Sequence, residues 1–246
     1  MLEPKVIELL EEVFAIGGNH DTAKIILMRK KLVDFMTDNN LFLKERDENF
    51  VIIKDAIRFI DAHTILATTT SQHEASTCLN PFFKRLYMMR QEKWNYYELK
   101  FLISSLQLVE DIKRALSLGL KSLTIVSKFN NAHTLKSSII CNVCYRILYA
   151  QYFGDHDSIG NINLALEFNN WFRELERMPK KDNDIELDFL VTKVRKALFF
   201  QNRELINELL NELKTNYGEN LFDVINEEVI TYYTQFAKGV NDHVHL

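Results

Sequence analysis

The sequence predicts an all-α fold, and three observations carry that prediction. Glycine and proline number only 7 and 3 in 246 residues, about a third of ordinary usage. Sandwiches, barrels and doubly wound sheets need both residues in their turns. Apolar residues recur at i, i+3, i+4 spacing along most of the chain, and nowhere do two alternating segments flank a tight turn. Finally, 47% of the residues are hydrophobic and 26% charged, a balance that supports a packed core and excludes wholesale disorder.

Residues 4–16 place Val6, Leu9, Leu10, Val13 and Phe14 on one helical face, and Gly17-Gly18 stops them. Asp21 is expected to cap a second helix bearing Ile25, Ile26, Leu32, Val33 and Met36, which ends near Asn39-Asn40. After a break over 44–49 a third helix is expected at 50–63, and Thr68-Thr69-Thr70-Ser71 reads as a polar loop. Pro81 is expected to open a helix running to residue 90. Helices over 94–109, 111–129, 132–153, 158–178, 185–200, 203–217 and 221–238 follow. Asn130-Asn131, a turn at 154–157, a break at 179–183, a cap at Asn202 and a stop at Gly218 separate the later ones.

Helices of this length on such short connections pack as antiparallel neighbours. The second half divides into pairs, 94–109 with 111–129, 132–153 with 158–178, and 185–200 with 203–217. Each pair occupies about 35–50 residues, the period of tetratricopeptide and related repeats. The expected architecture is therefore a tetratricopeptide-like α-solenoid of antiparallel helix pairs, one domain over 1–246. N-terminal helices fill 1–70, helix-pair repeats fill 71–217, and 218–246 forms a capping helix.

The net charge is −4, unevenly spread. Residues 1–80 carry 9 basic and 13 acidic side chains, 81–146 carry 11 and 4, and 147–246 carry 10 and 17. A basic middle between acidic flanks can attract anions, but the chain is not basic enough to bind nucleic acid by charge alone. No run approaches the ~18 apolar residues of a membrane span. With Glu3 and Lys5 so early, no signal peptide is read, so a soluble, cytoplasmic protein without membrane partners is expected. Cys141-Asn142-Val143-Cys144 has C-x-x-C spacing but lies within a long helical pattern. Two buried thiols are expected there rather than redox or zinc chemistry. Phosphate loops, H-E-x-x-H and G-x-S-x-G are absent. Adjacent pairs such as Glu11-Glu12 and Glu227-Glu228 point about 100° apart on a helix and cannot share a proton. No enzymatic activity, cofactor or metal is expected.

Two further stretches form a recognisable pattern. Trp94-Asn95-Tyr96-Tyr97-Glu98-Leu99 opens a helix about 40 residues after F-V-I-I-K-D-A-I at 50–57. Near the end, Phe199 and Asn202 precede a helix, Tyr217-Gly218-Glu219 follows it, and the final helix holds Tyr232-Tyr233. This pattern, spread over essentially the whole chain, resembles the regulatory domain of the Rgg/GadR/MutR transcription regulators of streptococci and their relatives. The resemblance implies a tetratricopeptide-type domain that dimerises and binds a short signalling peptide in its concave face, as in peptide-pheromone quorum sensing. It also implies a preceding DNA-binding helix-turn-helix of about 60 residues. Residues 1–40 lack that polar, Arg/Lys-rich text, so DNA contact is expected only through a helix-turn-helix outside this sequence.

The pairing makes 132–153 an inner helix. Leu135, Ile139, Val143 and Ile147 form its apolar stripe, and roughly opposite runs Ser138, Asn142, Tyr145 and Tyr149, with Arg146 beside them. An Asn amide satisfies both the N–H and the C=O of an extended peptide. Arginine offers a fork for a carboxylate, and tyrosine a rigid contact surface with a polar tip. Asn142 also falls where the resemblance implies an Asn. The expected ligand-binding residues are thus Asn142, Arg146, Tyr145, Tyr149 and Ser138, with Lys193 on the next inner helix. Trp94, Tyr97 and Leu99 are expected to pack in the core. A homodimer is expected through the last helix, where Leu221, Phe222, Val224, Ile225, Val229, Ile230, Tyr232, Tyr233 and Phe236 exceed what one buried stripe needs. The alternative reading is a helical-repeat scaffold that binds another protein and takes no small ligand.

Overall fold

The computed structural model describes residues 2–16, 22–41, 47–69, 71–154, 159–179 and 182–243. Among them there is no strand, and helical turns make up 86%. The chain divides into two compact units, 1–110 and 111–246. That boundary falls inside the stretch 71–217 assigned from sequence to helix-pair repeats.

The first unit holds α1 (Pro4–Ile16), α2 (Thr22–Asp38), α3 (Glu48–Thr69), α4 (Gln72–Met88) and α5 (Tyr96–Ser105). Helix α3 is its axis and touches the other four. It buries Ile52, Ile53, Ala56, Phe59 and Ile60, a set too wide for one surface stripe and suited to a helix packed on several sides. The Phe101 ring of α5 lies 4.6 Å from Phe14 of α1 and 5.0 Å from Phe59, within the range of favourable aromatic pairs.

The segment Trp94–Leu99 is explained by this packing. Asn95 caps α5 by accepting from Glu98 N at 2.9 Å, and Glu98 Oε2 accepts from Asn95 N at 2.9 Å, a reciprocal capping box. The other Glu98 oxygen accepts from Arg85 Nη1 of α4 at 2.5 Å. Arg85 Nη2 reaches Asp55 of α3, which also accepts from Arg58 at 3.0 Å. Burial pushes the Asp55 and Glu98 carboxyls up, against the pull of Arg85. Trp94 and Leu99 are buried, as expected of core residues, whereas Tyr97 is only half-buried and donates its hydroxyl to Glu11 of α1 at 2.9 Å.

Three local expectations are corrected here. Helix α3 runs on through Thr68 and Thr69, which were read as loop. The hydroxyls of Thr64, Thr68 and Thr69 donate to carbonyls one turn back, Ile60, Thr64 and Ile65, so their polarity is met inside the helix. Helix α4 begins at Gln72, where Ser71 accepts from Glu74 N at 3.2 Å, and Pro81 lies inside it instead of opening it. The proline forfeits one helical hydrogen bond, but buried Leu79, Phe82, Phe83 and Leu86 hold the helix on the core. The helix expected at 94–109 resolves into α5 and a 3-10 turn at Leu106–Leu108. The expected stop at Gly17-Gly18, the Asp21 cap and residue Thr70 lie outside the described residues.

The second unit holds α6 (Ile112–Val126), α7 (Ala132–Phe153), α8 (Leu164–Glu176), α9 (Asn183–Phe199), α10 (Arg203–Tyr217) and α11 (Glu219–His243). Side-chain caps at Asp111, Asn163, Asp182 and Asn202 start four of them. Helix α8 starts at Leu164, later than the expected 158, because Asn163 accepts from Leu166 N at 3.0 Å. Gly218, at φ 89°, separates α10 from α11. Helix α7 is central and packs against α6, α8, α9 and α11, while α9 also meets α8, α10 and α11. At Gly119 of α6 a Cβ would sit 2.7 Å from Val143 of α7 and 3.1 Å from Trp171 of α8. Only glycine lets these three helices close to that distance. Among the described residues no helix is long and apolar enough to cross a membrane.

Candidate functional site

Helix α7 has two working faces. Val143, from the expected apolar stripe, points to α6 and α8 beneath Gly119. The Ser138–Tyr149 row borders α9 and α11. Ser137 and Ser138 donate to one oxygen of Asp188 on α9, at 2.6 and 3.0 Å. Burial pushes the Asp188 carboxyl up, and the two serine hydroxyls pull the other way.

One turn pair further along α9, Arg195 is buried at 8% exposure. Its guanidinium grips Glu228 of α11 with Nε and Nη2 at 2.9 and 3.0 Å, the bidentate geometry that suits a planar fork. Nη1 donates to the Cys141 carbonyl at 3.3 Å and touches its Sγ at 3.1 Å, and the plane lies 4.7 Å from the Tyr145 ring centre. Burial opposes the arginine's charge, but Glu228 holds its pKa above the ordinary value. Burial also lifts the Cys141 thiol to about 11. Cys141 and Cys144 are both free and buried, the state expected of two helical thiols. Beyond this pair, Tyr152 donates to the Leu198 carbonyl at 2.9 Å, and Tyr232 of α11 stacks edgewise at 5.1 Å.

The six expected ligand residues therefore separate. Ser138, Asn142, Tyr145 and Tyr149 are half-buried along the α7–α9 seam. Arg146 is buried at 6% with its guanidinium 4.8 Å from the Tyr149 ring, so it supports that ring from within the helix packing. Lys193 is not brought to this row. It lies about 200° around α9 from Arg195, since the two are two residues apart. There it shares a cavity of about 240 Å³ with Glu186, Phe189 and Leu190 of α9 and Glu212, Asn216 and Tyr217 of α10.

The sequence alone assigns no site role to Asp188, Thr192 or Arg195, and takes Glu228 only as an adjacent-pair carboxylate. A signal was present: Asp188, Thr192 and Arg195 follow i, i+4, i+7 on one face of α9, and Arg195 sits between Val191 and Leu198 on an apolar stripe. Polar residues at stripe positions are held by partners on neighbouring helices. Among the described residues no group of three His, Cys, Asp or Glu is placed to hold a metal ion. No family model, curated protein or solved structure matches this chain.

Proposed function

We propose that the chain is a regulatory domain of the Rgg type, which binds a short signalling peptide along the α7–α9–α11 seam and dimerises. It would act in the cytoplasm and reach DNA through a helix-turn-helix outside this sequence. The observation that carries this reading is the half-buried row Ser138, Asn142, Tyr145 and Tyr149 beside the Asp188 and Arg195–Glu228 pairs. Amide, hydroxyl and aromatic groups in one line suit an extended backbone, whose N–H and C=O groups need partners along their length. As in a repeat architecture, α7 meets α9 and α9 meets α11, while the contact of α7 with α11 goes beyond the nearest-neighbour pattern. A peptide that prefers one packing of these helices shifts the population toward it.

A scaffold that binds another protein is the second reading. It draws on Val224 and Ile230 of α11, exposed at 61% and 55% although α11 buries Ile225, Val229 and Tyr232 elsewhere. The same residues serve the proposed dimer; the side chain of Phe236 lies outside the described ones. Thermal melts titrated with pools of short hydrophobic peptides separate the readings. A ligand at 100 times its Kd adds about 2.7 kcal/mol to the native state, and the midpoint rises. A midpoint indifferent to every pool at millimolar concentration refutes peptide sensing. Sedimentation of a 28.9 kDa monomer at tens of micromolar refutes the dimer.

A further inference from the structure

We infer that the first unit carries a binding site for a small apolar molecule with one hydrogen-bonding head group, independent of the peptide seam. A cavity of about 310 Å³ opens between α1, α2 and α3. Its floor is buried and apolar: Val13 of α1, Ile25 and Met28 of α2, Phe59 and Ile60 of α3. Ile16, Leu66 and Ala67 form the more exposed part of its wall. Two polar side chains join the lining, His63 of α3 and Gln107 of the 3-10 turn that follows α5.

A space of this size is unlike ordinary core. Interiors pack at about the density of organic crystals, with few voids larger than a water molecule. The lining residues also follow a pattern. Phe59, Ile60, His63, Leu66 and Ala67 fall on one face of α3, spread over about 12 Å of helix. A side chain inserted here would complete the packing; among the described residues the face is bordered by three helices and filled by none. Apolar walls with a few polar groups are the usual composition of small-molecule pockets, and the volume is at the lower bound of that class.

Size and lining set the ligand's chemistry. A cavity of about 150 Å³ accepts benzene, so twice that volume takes roughly 12 non-hydrogen atoms. Among the described residues no lysine, arginine or carboxylate lines the site, which disfavours a strongly charged ligand whose desolvation would go unmatched. His63 and Gln107 can each donate or accept, and so fit a single hydroxyl, carbonyl or amide. The edge of the Phe59 ring contact with His63, centroids 4.2 Å apart, holds the imidazole against the cavity floor.

2-Naphthol, with eleven non-hydrogen atoms and one hydroxyl, is a suitable probe, and naphthalene is its headless control. Titration of the full chain, followed by naphthol fluorescence, should show saturable one-to-one binding in the micromolar to sub-millimolar range. His63→Leu should weaken 2-naphthol about 2- to 12-fold, one net hydrogen bond, and leave naphthalene unchanged. Ala67→Phe, at an exposed wall position, should abolish both. If that variant melts early, Leu66→Phe at the adjacent wall position takes its place. Absence of saturable naphthol binding, or binding unchanged in a folded wall variant, overturns the inference. So does a dimer that dissociates on adding naphthol, which would assign the cavity to a second copy's side chain. Because the site and probe lie in the first unit, these outcomes do not depend on the peptide proposal.

Discussion

The Arg195–Glu228 pair gives the sharpest test of how the second unit is held together. Both side chains are nearly out of water, with 10% and 14% exposure, so solvent screening offers little relief to either charge. Arg195→Met leaves the Glu228 carboxylate buried without its two donors, and Glu228→Leu leaves the guanidinium without its acceptors. Breaking a buried pair from one side costs about 3–5 kcal/mol. At roughly 2–4 °C per kcal/mol for a chain of this size, each single variant should melt about 6–20 °C lower. The bond from Arg195 to the Cys141 carbonyl adds little to the loss, since a carbonyl within α7 already accepts along the helix. Replacing both residues with apolar ones of similar volume is often neutral or stabilising. The double variant Arg195→Met, Glu228→Leu should therefore recover most of the loss and show a coupling of about 3 kcal/mol or more. Denaturant melts on the four proteins of this cycle measure it. Single variants that cost under about 1 kcal/mol, or a double variant no better than the worse single, would refute the buried-pair argument.

Asn142→Ala should leave the melting point nearly unchanged and weaken any peptide identified by the titration about 5- to 150-fold, the cost of leaving peptide groups unsatisfied; unchanged affinity in calorimetry counts against the seam. Arg146→Ala should instead lower stability, because this arginine is buried against Tyr149; denaturant midpoints decide. With burial raising the pKa of Asp188, its contribution is fully present below the unfolded carboxyl's pKa, about 4, and is lost as pH rises through the higher folded value. Asp188→Asn can still accept from both serines through one oxygen, so it should match or exceed the native protein at pH 7, with the advantage gone near pH 3; a loss at pH 7 goes against this. At pH 8 a thiol reagent should spare Cys141 and Cys144, buried and in the first case titrating near 11, and modify only Cys78 slowly. Fast labelling of more than one of the three thiols in the native chain would contradict that burial.

Much of this architecture was legible because helical periodicity is a local signal. Asn202 and Gly218 bracket α10 through a side-chain cap and a positive φ, both properties of single residues. Thr68-Thr69 and Pro81 misled for the complementary reason. Threonine and proline disfavour helix by propensity, and two effects outweighed that preference: core burial of Phe82 and Phe83 beside the proline, and threonine hydroxyls satisfied one turn back within the helix. The candidate seam was half legible. The period of α7 gave its row, but Asp188 lies about 50 residues from the serines it meets and Glu228 lies 33 from Arg195, and no spacing within one helix announces a match across three. Lys193 was misplaced relative to the row by the same limit, since its face of α9 is set by α10.

The Trp94–Leu99 segment shows what a short motif can and cannot carry. Each of its polar residues has a structural duty. Asn95 and Glu98 close the capping box, and Glu98 joins Arg85 and Asp55 in a buried ionic network. Asp55 belongs to the other segment of the family resemblance, 50–57, so the two motifs meet through one arginine. A motif of this kind constrains how α3, α4 and α5 pack, because capping and charge pairing limit those residue types strongly. It does not argue for a ligand, since Asn95, Glu98, Arg85 and Asp55 are engaged with one another within the first unit. The functional reading therefore rests on the α7 row in the second unit, where Asn142 stands half-buried between Ser138 and Tyr145. Its amide is the group the proposal sets against the N–H and C=O of an extended peptide, and Asn142→Ala is for that reason the substitution on which the peptide proposal turns.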